Sequence, residues 1–152
     1  FKTQLNIMKK TTLIQNVKND QRQWYVVDAA GKRLGQLSVI IANHLRGKNE
    51  AGFTPHSDMG SYVVVLNAEK IELSGNKESD KMYYRHSGYL GHLKSRNVAT
   101  QRIRNPRKIL ESAISGMLPK NKLRSSQMKR LILVVGDVNP HEAQKPQPLV
   151  IK

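Results

Sequence analysis

The apolar positions of this chain alternate between short continuous runs and runs at helical spacing. The continuous runs are residues 24–29, 62–66 and 131–135, each rich in β-branched or aromatic side chains, as is typical of buried strands. Residues 34–45 and 109–117 instead carry apolar side chains three or four positions apart, which predicts helices. Strands that alternate with helices predict an α/β domain with a mostly parallel sheet.

Turn and cap residues bound these two helices. Gly47 follows the first helix as an expected C-terminal cap. Asn105 is expected to cap the start of the second helix, with Pro106 at its first position and Pro119 at its end.

The remaining segments carry weaker signals. We expect short strands at 71–73 and 81–86, a short basic helix at 122–130, and loops at 48–60 and 87–97.

These elements form one domain with two extensions. Residues 1–22 are polar and basic, which predicts an extended or disordered N-terminal arm without the apolar core of a signal peptide. Residues 23–138 hold every strong element. Residues 139–152 contain three prolines and predict an extended C-terminal tail.

Positive charge is the strongest global signal. The chain has 26 Lys and Arg against 11 Asp and Glu, a net charge of +15. Between Asp80 and Asp137 the only acid is Glu111. The same stretch carries thirteen basic residues, namely Lys81, Arg85, Lys94, Arg96, Arg102, Arg104, Arg107, Lys108, Lys120, Lys122, Arg124, Lys129 and Arg130. Such clustering indicates an anionic partner and favours nucleic acid. A membrane surface is less favoured, because the single Trp24 lies outside the basic stretch.

Catalytic and metal-binding patterns are missing from the sequence. There are no cysteines, so disulfides, thiolate metal sites and a cysteine nucleophile are excluded. The five histidines are scattered and none has the HExxH spacing. The acids are few and show no pairing for acid–base work. We therefore expect no enzyme, no cofactor, no metal and no small-molecule substrate.

Two helix starts carry cations that a phosphate would complement. Lys32 and Arg33 lie in a glycine-containing turn between a strand and a helix, where backbone N–H groups can hold phosphate. The turn is neither a P-loop nor a full dinucleotide fingerprint, so an ordinary strand–helix turn is the alternative. Arg107 and Lys108 lie in the first turn of the second helix, against its dipole. Either a phosphate lies nearby or both side chains reach into water.

Aromatic and cationic side chains mix at residues 83–86. Strand alternation places Tyr83 and Arg85 on one face and Tyr84 and His86 on the other. One tyrosine is therefore expected in the core. Arg85 and His86 are the preferred RNA contacts, since arginines clamp phosphates and rings stack on bases.

Five blocks of sequence resemble one known family. They are WYVVDAAGKRLGQL with HLRGKN (24–37, 44–49), FTPHSDMGSYVVVLNAEKIELSGNK (53–77), KMYYRHSGYLGHLK (81–94), SGMLPKNKLRSSQMKRLILVVG (115–136) and HEAQKPQP (141–148). In this order and spacing they resemble the large-subunit ribosomal protein L-thirteen family, in its bacterial and organellar form. The resemblance runs from about Trp24 to Leu149.

The resemblance implies a single three-layer α/β/α domain with a central, mostly parallel sheet. It implies a structural ribosomal protein that binds large-subunit rRNA early in subunit assembly and has no catalytic activity. The expected partners are this rRNA and neighbouring ribosomal proteins, with no membrane and no homo-oligomer. The expected location is the ribosome of a bacterial cytoplasm or of an organelle, either plastid or mitochondrial matrix.

The resemblance also places the RNA-facing surface. It corresponds here to residues 46–48, 84–86, 94 and 120–130. Arg124–Ser125 stands where the family usually has Gly-Arg, and residues 90–92 read Leu-Gly-His where Pro-Gly-Gly is usual. These departures make contacts at both places harder to carry over.

Charge and resemblance together give one set of predicted RNA-binding residues. They are Lys32, Arg33, Arg46, Lys48, His56, Lys77, Lys81, Tyr84, Arg85, His86, Lys94, Arg96, Arg107, Lys108, Lys120, Lys122, Arg124, Lys129, Arg130, His141 and Lys145. Charge reversal across Arg124, Lys129 and Arg130 is expected to weaken incorporation into subunits while the domain still folds. From the residues alone two other functions stay open, namely an enzyme using the Gly31–Gly35 turn and a basic adaptor for an acidic protein or membrane.

Overall fold

A four-stranded parallel sheet is the centre of the structure, a computed structural model that describes residues 21–149. Its strands, in chain order, are β1 (Trp24–Asp28), β2 (Tyr62–Leu66), β5 (Leu131–Leu133) and β6 (Gln147–Pro148). The spatial order is β5-β2-β1-β6 and every pairing is parallel. A separate antiparallel hairpin joins β3 (Met82–His86) to β4 (Leu93–Asn97). The predicted arm lies outside the described residues as far as residue 20.

Five helices and a 3-10 turn near the C-terminus accompany the strands in the described part of the chain. They are α1 (Leu34–Arg46), α2 (Lys77–Asp80), α3 (Val98–Arg104), α4 (Arg107–Met117), α5 (Leu123–Lys129) and the 3-10 turn Glu142–Gln144. The α/β class and the mostly parallel sheet are confirmed.

The core lies between α1, α4 and one face of the sheet. Val63, Val64 and Val65 of β2 are all fully buried, as the continuous apolar run predicts. Val63 and Val65 pack in one cluster with the apolar stripes of the two helices. These stripes are Leu34, Leu37, Ile41 and Leu45 of α1 and Ile109, Leu110 and Ile114 of α4. Burying each such side chain contributes roughly 1.5–3 kcal/mol, so the two stripes fix the helices to the sheet.

The C-terminal segment extends the sheet instead of leaving it. Pro148 pairs with Val26 of β1, and the Leu149 N–H donates to the Val26 carbonyl at 2.9 Å. On the sheet face opposite the core, Trp24 stacks on Tyr62 with ring centroids 4.3 Å apart. His141 lies 5.5 Å from the Trp24 ring, so the segment before β6 crosses this face.

The elements predicted from weaker sequence signals differ more from the structure than those predicted from the apolar runs. The predicted loop 87–97 contains strand β4, and the predicted strand 71–73 is reduced to an isolated bridge between Arg33 and Glu72. β5 is shorter than the predicted 131–135. Pairing partners decide where a strand ends, and a single segment does not reveal them.

The helix start predicted at Asn105 is wrong in detail. Asn105 ends α3, and α4 begins after Pro106 with no side-chain cap. The true side-chain cap is Asn97, whose Oδ1 accepts from the Thr100 N–H at 3.0 Å to begin α3. Because α3 is short and half polar, its apolar spacing gave no signal, although Asn97 stands where a cap is preferred.

His44 should give the stability of the fold a pH dependence. Its ring packs 4.6 Å from that of Tyr25, and its Nε2 accepts from the Asn49 amide at 2.9 Å. Burial lowers the pKa of His44 below its ordinary 6.5, and the charge of Glu50 raises this pKa by a smaller amount. The unfolded chain therefore takes up the proton first, so the free energy of unfolding should fall as the pH drops below 6.5.

Urea denaturation at several pH values checks this expectation. His44→Gln should remove this pH-dependent component, and His56→Gln, at an exposed position, should leave it in place. An unchanged pH dependence in the His44 variant would contradict the assignment.

Candidate nucleic-acid interface

The β3–β4 hairpin presents one strongly cationic face. Register pairs Tyr83 with Arg96 and Arg85 with Lys94. Directly opposed residues share a face, and residues two apart along a strand do so as well. Three cations and one tyrosine therefore line the same side of this ribbon. The half-buried Tyr83 packs against the main core, as predicted for one of the two tyrosines.

Helices α3 and α4 close this face into a groove. The groove has a volume of about 690 Å³ and receives Arg104 from the end of α3 and Lys108 from the start of α4. Its single acid, Glu111, is bound to Lys108 at 3.0 Å. We call this the hairpin groove; its cations are Arg85, Lys94, Arg96, Arg104 and Lys108.

Four of these five cations have no ion-pair partner among residues 21–149. Only Lys108 has a carboxylate within ion-pair distance. Cations that share one concavity repel one another, and a bound anion removes that repulsion. The predictions for Arg85, Lys94, Arg96 and Lys108 are therefore brought together in one place, and Arg104 joins them although the sequence prediction omitted it.

Arg102 lies in the same basic stretch but serves the fold. Its guanidinium donates to both carboxylate oxygens of Glu78 at 3.0 Å, and to the carbonyls of Glu69 at 2.5 Å and Ile71 at 3.2 Å. The hydrogen bond from Arg102 lowers the pKa of Glu78 and raises that of Arg102. Arg102 thus ties α3, and with it the hairpin, to the domain.

The opposite face of the hairpin carries no lysine or arginine. It carries Met82, Tyr84 and His86 from β3 and Leu93, Ser95 and Asn97 from β4. Tyr84 is 66% exposed and Leu93 is 60% exposed. The predicted contact Tyr84 nevertheless also lines the hairpin groove beside Arg85, whereas His86 is not among the groove's lining residues.

A second basic surface lies around α5, which the sequence predicted as a short basic helix. Lys120, Lys122 and Lys129 are exposed, and Arg124 is half-buried. A shallow groove between α4, α5 and β5 has Arg107 and Lys129 among its lining residues. This α5 surface matches the predicted segment 120–130 with one exception.

Arg130 is the exception, because the structure places this predicted RNA contact in the interior of the domain. It is only 5% exposed. Its two terminal nitrogens donate to the two oxygens of Asp58 at 2.6 and 2.5 Å, and one also donates to the Leu45 carbonyl at 3.2 Å. Arg22, whose Nη2 donates to the Asp58 carbonyl at 3.0 Å, approaches the same carboxylate at 3.7 Å. Charge reversal at Arg130 would therefore damage the fold. The charge-reversal test of incorporation into subunits should be limited to Arg124 and Lys129.

Three backbone N–H groups of the turn before α1 already have carbonyl acceptors within the domain. The N–H groups of Gly31, Lys32 and Leu34 already donate to the carbonyls of Lys70, Ala29 and Glu72 at 3.0–3.2 Å. Side chains of Lys32 and Arg33 remain at the surface, half-buried and exposed respectively. A nucleotide enzyme built on this turn is not supported by such geometry.

The other predicted contacts are dispersed. Arg46 lies over the Phe53 ring at 5.5 Å, and His141 packs on Trp24. The remaining ones are exposed away from both basic surfaces or at their margins, namely Lys48, His56, Lys77, Lys81 and Lys145.

Residues 21–149 lack two further features. In that part of the chain no helix combines the length and apolar character needed to cross a membrane. Nor does it bring three or more His, Cys, Asp or Glu side chains together in a group that could hold a metal ion.

Comparisons with known proteins agree on one family. The model of the family "Ribosomal protein L13" matches residues 22–140. A large ribosomal subunit protein uL13 from Methylococcus capsulatus is 51% identical over 131 residues, covering 86% of this chain and 92% of the relative. Its counterpart from Alcanivorax borkumensis is 52% identical over the same shares. The one from Staphylococcus saprophyticus is 49% identical over 138 residues, or 91% of this chain and 95% of the relative.

Proposed function

The chain belongs to the ribosomal protein L13 family, and from that premise we propose that it binds large-subunit rRNA through the hairpin groove and the α5 surface and supports early subunit assembly. It is a structural constituent of the large ribosomal subunit and not an enzyme. Its partners are therefore ribosomal RNA and neighbouring ribosomal proteins.

The hairpin groove carries this proposal. Five cations from four separate elements converge on a concavity that contains one acid. A folded domain gains no stability from that arrangement by itself, whereas RNA phosphates neutralise it. The α5 surface adds exposed lysines on a second side of α4.

Phosphate neutralisation would set the affinity and salt dependence of RNA binding, and the shape of the surface would set its selectivity. Each Lys or Arg that contacts a phosphate releases condensed counterions, so log K falls by roughly 0.9 per contact per log unit of salt on a duplex. An A-form helix hides its base edges in a deep major groove, so a concave cationic surface selects backbone geometry rather than sequence. A domain that binds in this way orders the RNA strands it touches, which suits a role early in assembly.

Neutralising the groove tests the proposal. In the triple variant Arg85→Gln, Lys94→Gln, Arg96→Gln, the negative slope of log K against log salt should become shallower by about 2–3. Incorporation into large subunits should also fall. Binding to large-subunit rRNA fragments at several salt concentrations gives the slope, and gradient sedimentation gives incorporation. Lys70→Gln removes a positive charge outside both surfaces and should leave both measurements near those of the wild type. A triple variant that keeps the wild-type slope and incorporation would refute the role of the groove.

A further inference from the structure

The two walls of the hairpin groove differ in chemistry. The hairpin wall carries Arg85, Lys94 and Arg96. The other wall, which we call the helical wall, is formed by α3, α4 and the residues between them. Besides Arg104 and Lys108, it carries amide, hydroxyl and carboxylate side chains, namely Gln101, Asn105, Glu111 and Ser112. Phosphates account for the hairpin wall, but a carboxylate repels them, so the helical wall fits a different chemical group.

Glu111 is the residue that sets the helical wall apart. It is the only acid between Asp80 and Asp137. Its Oε1 accepts from the Lys108 Nζ at 3.0 Å. That pair is exposed and contributes little to stability, so it does not explain an acid within a cationic groove. Among residues 21–149 no hydrogen bond reaches Oε2, which leaves this carboxylate with acceptor capacity for a ligand.

From these observations we propose that the helical wall binds the Watson–Crick edge of one unpaired guanine, while the phosphates beside that guanine contact the hairpin wall. The inference rests on the proposed function and adds the base that the groove recognises. Proteins read this edge on RNA bases that have left a helix. A carboxylate accepts from two donors side by side. Guanine is the one RNA base whose Watson–Crick edge presents two adjacent donors, N1–H and N2–H.

Hydrogen bonds at the α3–α4 junction hold the helical wall in place. The Asn105 carbonyl accepts from the Lys108 N–H and from the Gln101 Nε2, both at 3.2 Å. The Asn105 N–H donates to the Gln101 carbonyl at 2.8 Å. Gln101 itself is only 7% exposed, so its amide is fixed within the domain. The polar side chains of this wall therefore extend from a preorganised backbone, as discrimination between bases requires.

Size and charge favour a single nucleotide over a duplex as the ligand of the groove. Its volume of about 690 Å³ lies within the range of small-molecule sites. A duplex keeps its Watson–Crick edges paired and presents phosphates, so Glu111 gains no contact with it. An unpaired nucleotide offers both groups at once, with a phosphate for the hairpin wall and a base edge for Glu111.

Three single-stranded RNAs of about ten nucleotides test the inference with the full chain. One is uridine throughout, one has a single central guanosine, and one has inosine at that position. Inosine keeps N1–H and lacks the N2 amino group. The wild type should bind the guanosine RNA about tenfold more tightly than the inosine RNA, because the latter loses one hydrogen bond to a charged acceptor.

Glu111→Gln should change the affinities in opposite directions. It replaces the carboxylate by an amide with one acceptor oxygen, so the preference for guanosine over inosine should disappear. It also removes a negative charge from a cationic groove, so the all-uridine RNA should bind at least as tightly as it does to the wild type. A purely structural role of Glu111 would instead change all three affinities alike. The matched control Glu142→Gln removes an exposed acid outside the groove and should keep the preference.

The outcomes distinguish this inference from the proposed function. If the wild type binds neither these RNAs nor large-subunit rRNA fragments, the proposed function fails and the guanine site with it. If the wild type binds the rRNA fragments but does not prefer guanosine to inosine, only the guanine site is overturned. The same holds if Glu111→Gln keeps that preference.

Discussion

Asp58→Asn should lower the free energy of unfolding by about 3 kcal/mol, the lower end of the range for breaking a buried ion pair. The side chain of Arg130 is 6% exposed and that of Asp58 14%, so the guanidinium cannot turn to water when its partner loses charge. Asn keeps one acceptor oxygen, which is why the loss should not reach the top of the range.

A second cation makes the loss of this carboxylate worse. Burial lowers the pKa of Arg22, and the neighbouring charge of Arg130 lowers it further, while Asp58 acts in the opposite direction. Without the Asp58 charge, Arg22 and Arg130 repel each other across a buried site. The loop before β2, which both arginines fix, should therefore open first.

Urea denaturation followed by Trp24 fluorescence measures the change. The matched control is Glu111→Gln, the same loss of charge in a carboxylate whose pairing with Lys108 is exposed, and it should cost less than about 1 kcal/mol. Equal losses in the two variants would contradict a structural role for the Asp58 pair.

The sequence predicted the parts of the fold that depend on local pattern. The run at Val63–Val65 identified a strand buried on both faces, and Gly47 identified the end of α1, where its φ is +76°. Both signals lie within one segment. Strand β6, by contrast, consists of two residues whose pairing with β1 depends on a return of the chain across more than a hundred positions, and no local signal reports such pairing.

The candidate site also has parts that the sequence predicted and parts that it did not. Clustered charge located the hairpin and the α5 surface, because a cation without nearby acids stays exposed in most folds. The same argument failed for Arg130, because its partner Asp58 is 72 residues away in the sequence. By residue type alone, Arg130 cannot be told apart from its exposed basic neighbour Lys129. Arg104 was omitted because its place at the mouth of the groove follows from α3, an element that the pattern did not reveal.

Gly60→Ala should lower the free energy of unfolding by about 3 kcal/mol or more, since overpacking against backbone leaves nothing that can yield. A Cβ at Gly60 would lie 1.7 Å from the Leu45 carbonyl oxygen and 2.5 Å from its carbon. It would also lie 2.9 Å from the Arg130 guanidinium. The end of α1, the start of β2 and the buried ion pair would all have to move, so both structural predictions act on one junction.

The same glycine-to-alanine substitution at a position with free space around it should raise the free energy of unfolding instead of lowering it. Gly35 lies in α1 with nothing within 4 Å of the added carbon, so Gly35→Ala should raise the free energy of unfolding by up to about 1 kcal/mol through helix propensity. Urea denaturation of the two variants beside the wild type decides the matter. If Gly60→Ala unfolds at the wild-type urea concentration, the backbone of α1 does not approach β2 as closely as the Leu45–Gly60 contact requires, and the buried position of Arg130 beside it loses its support.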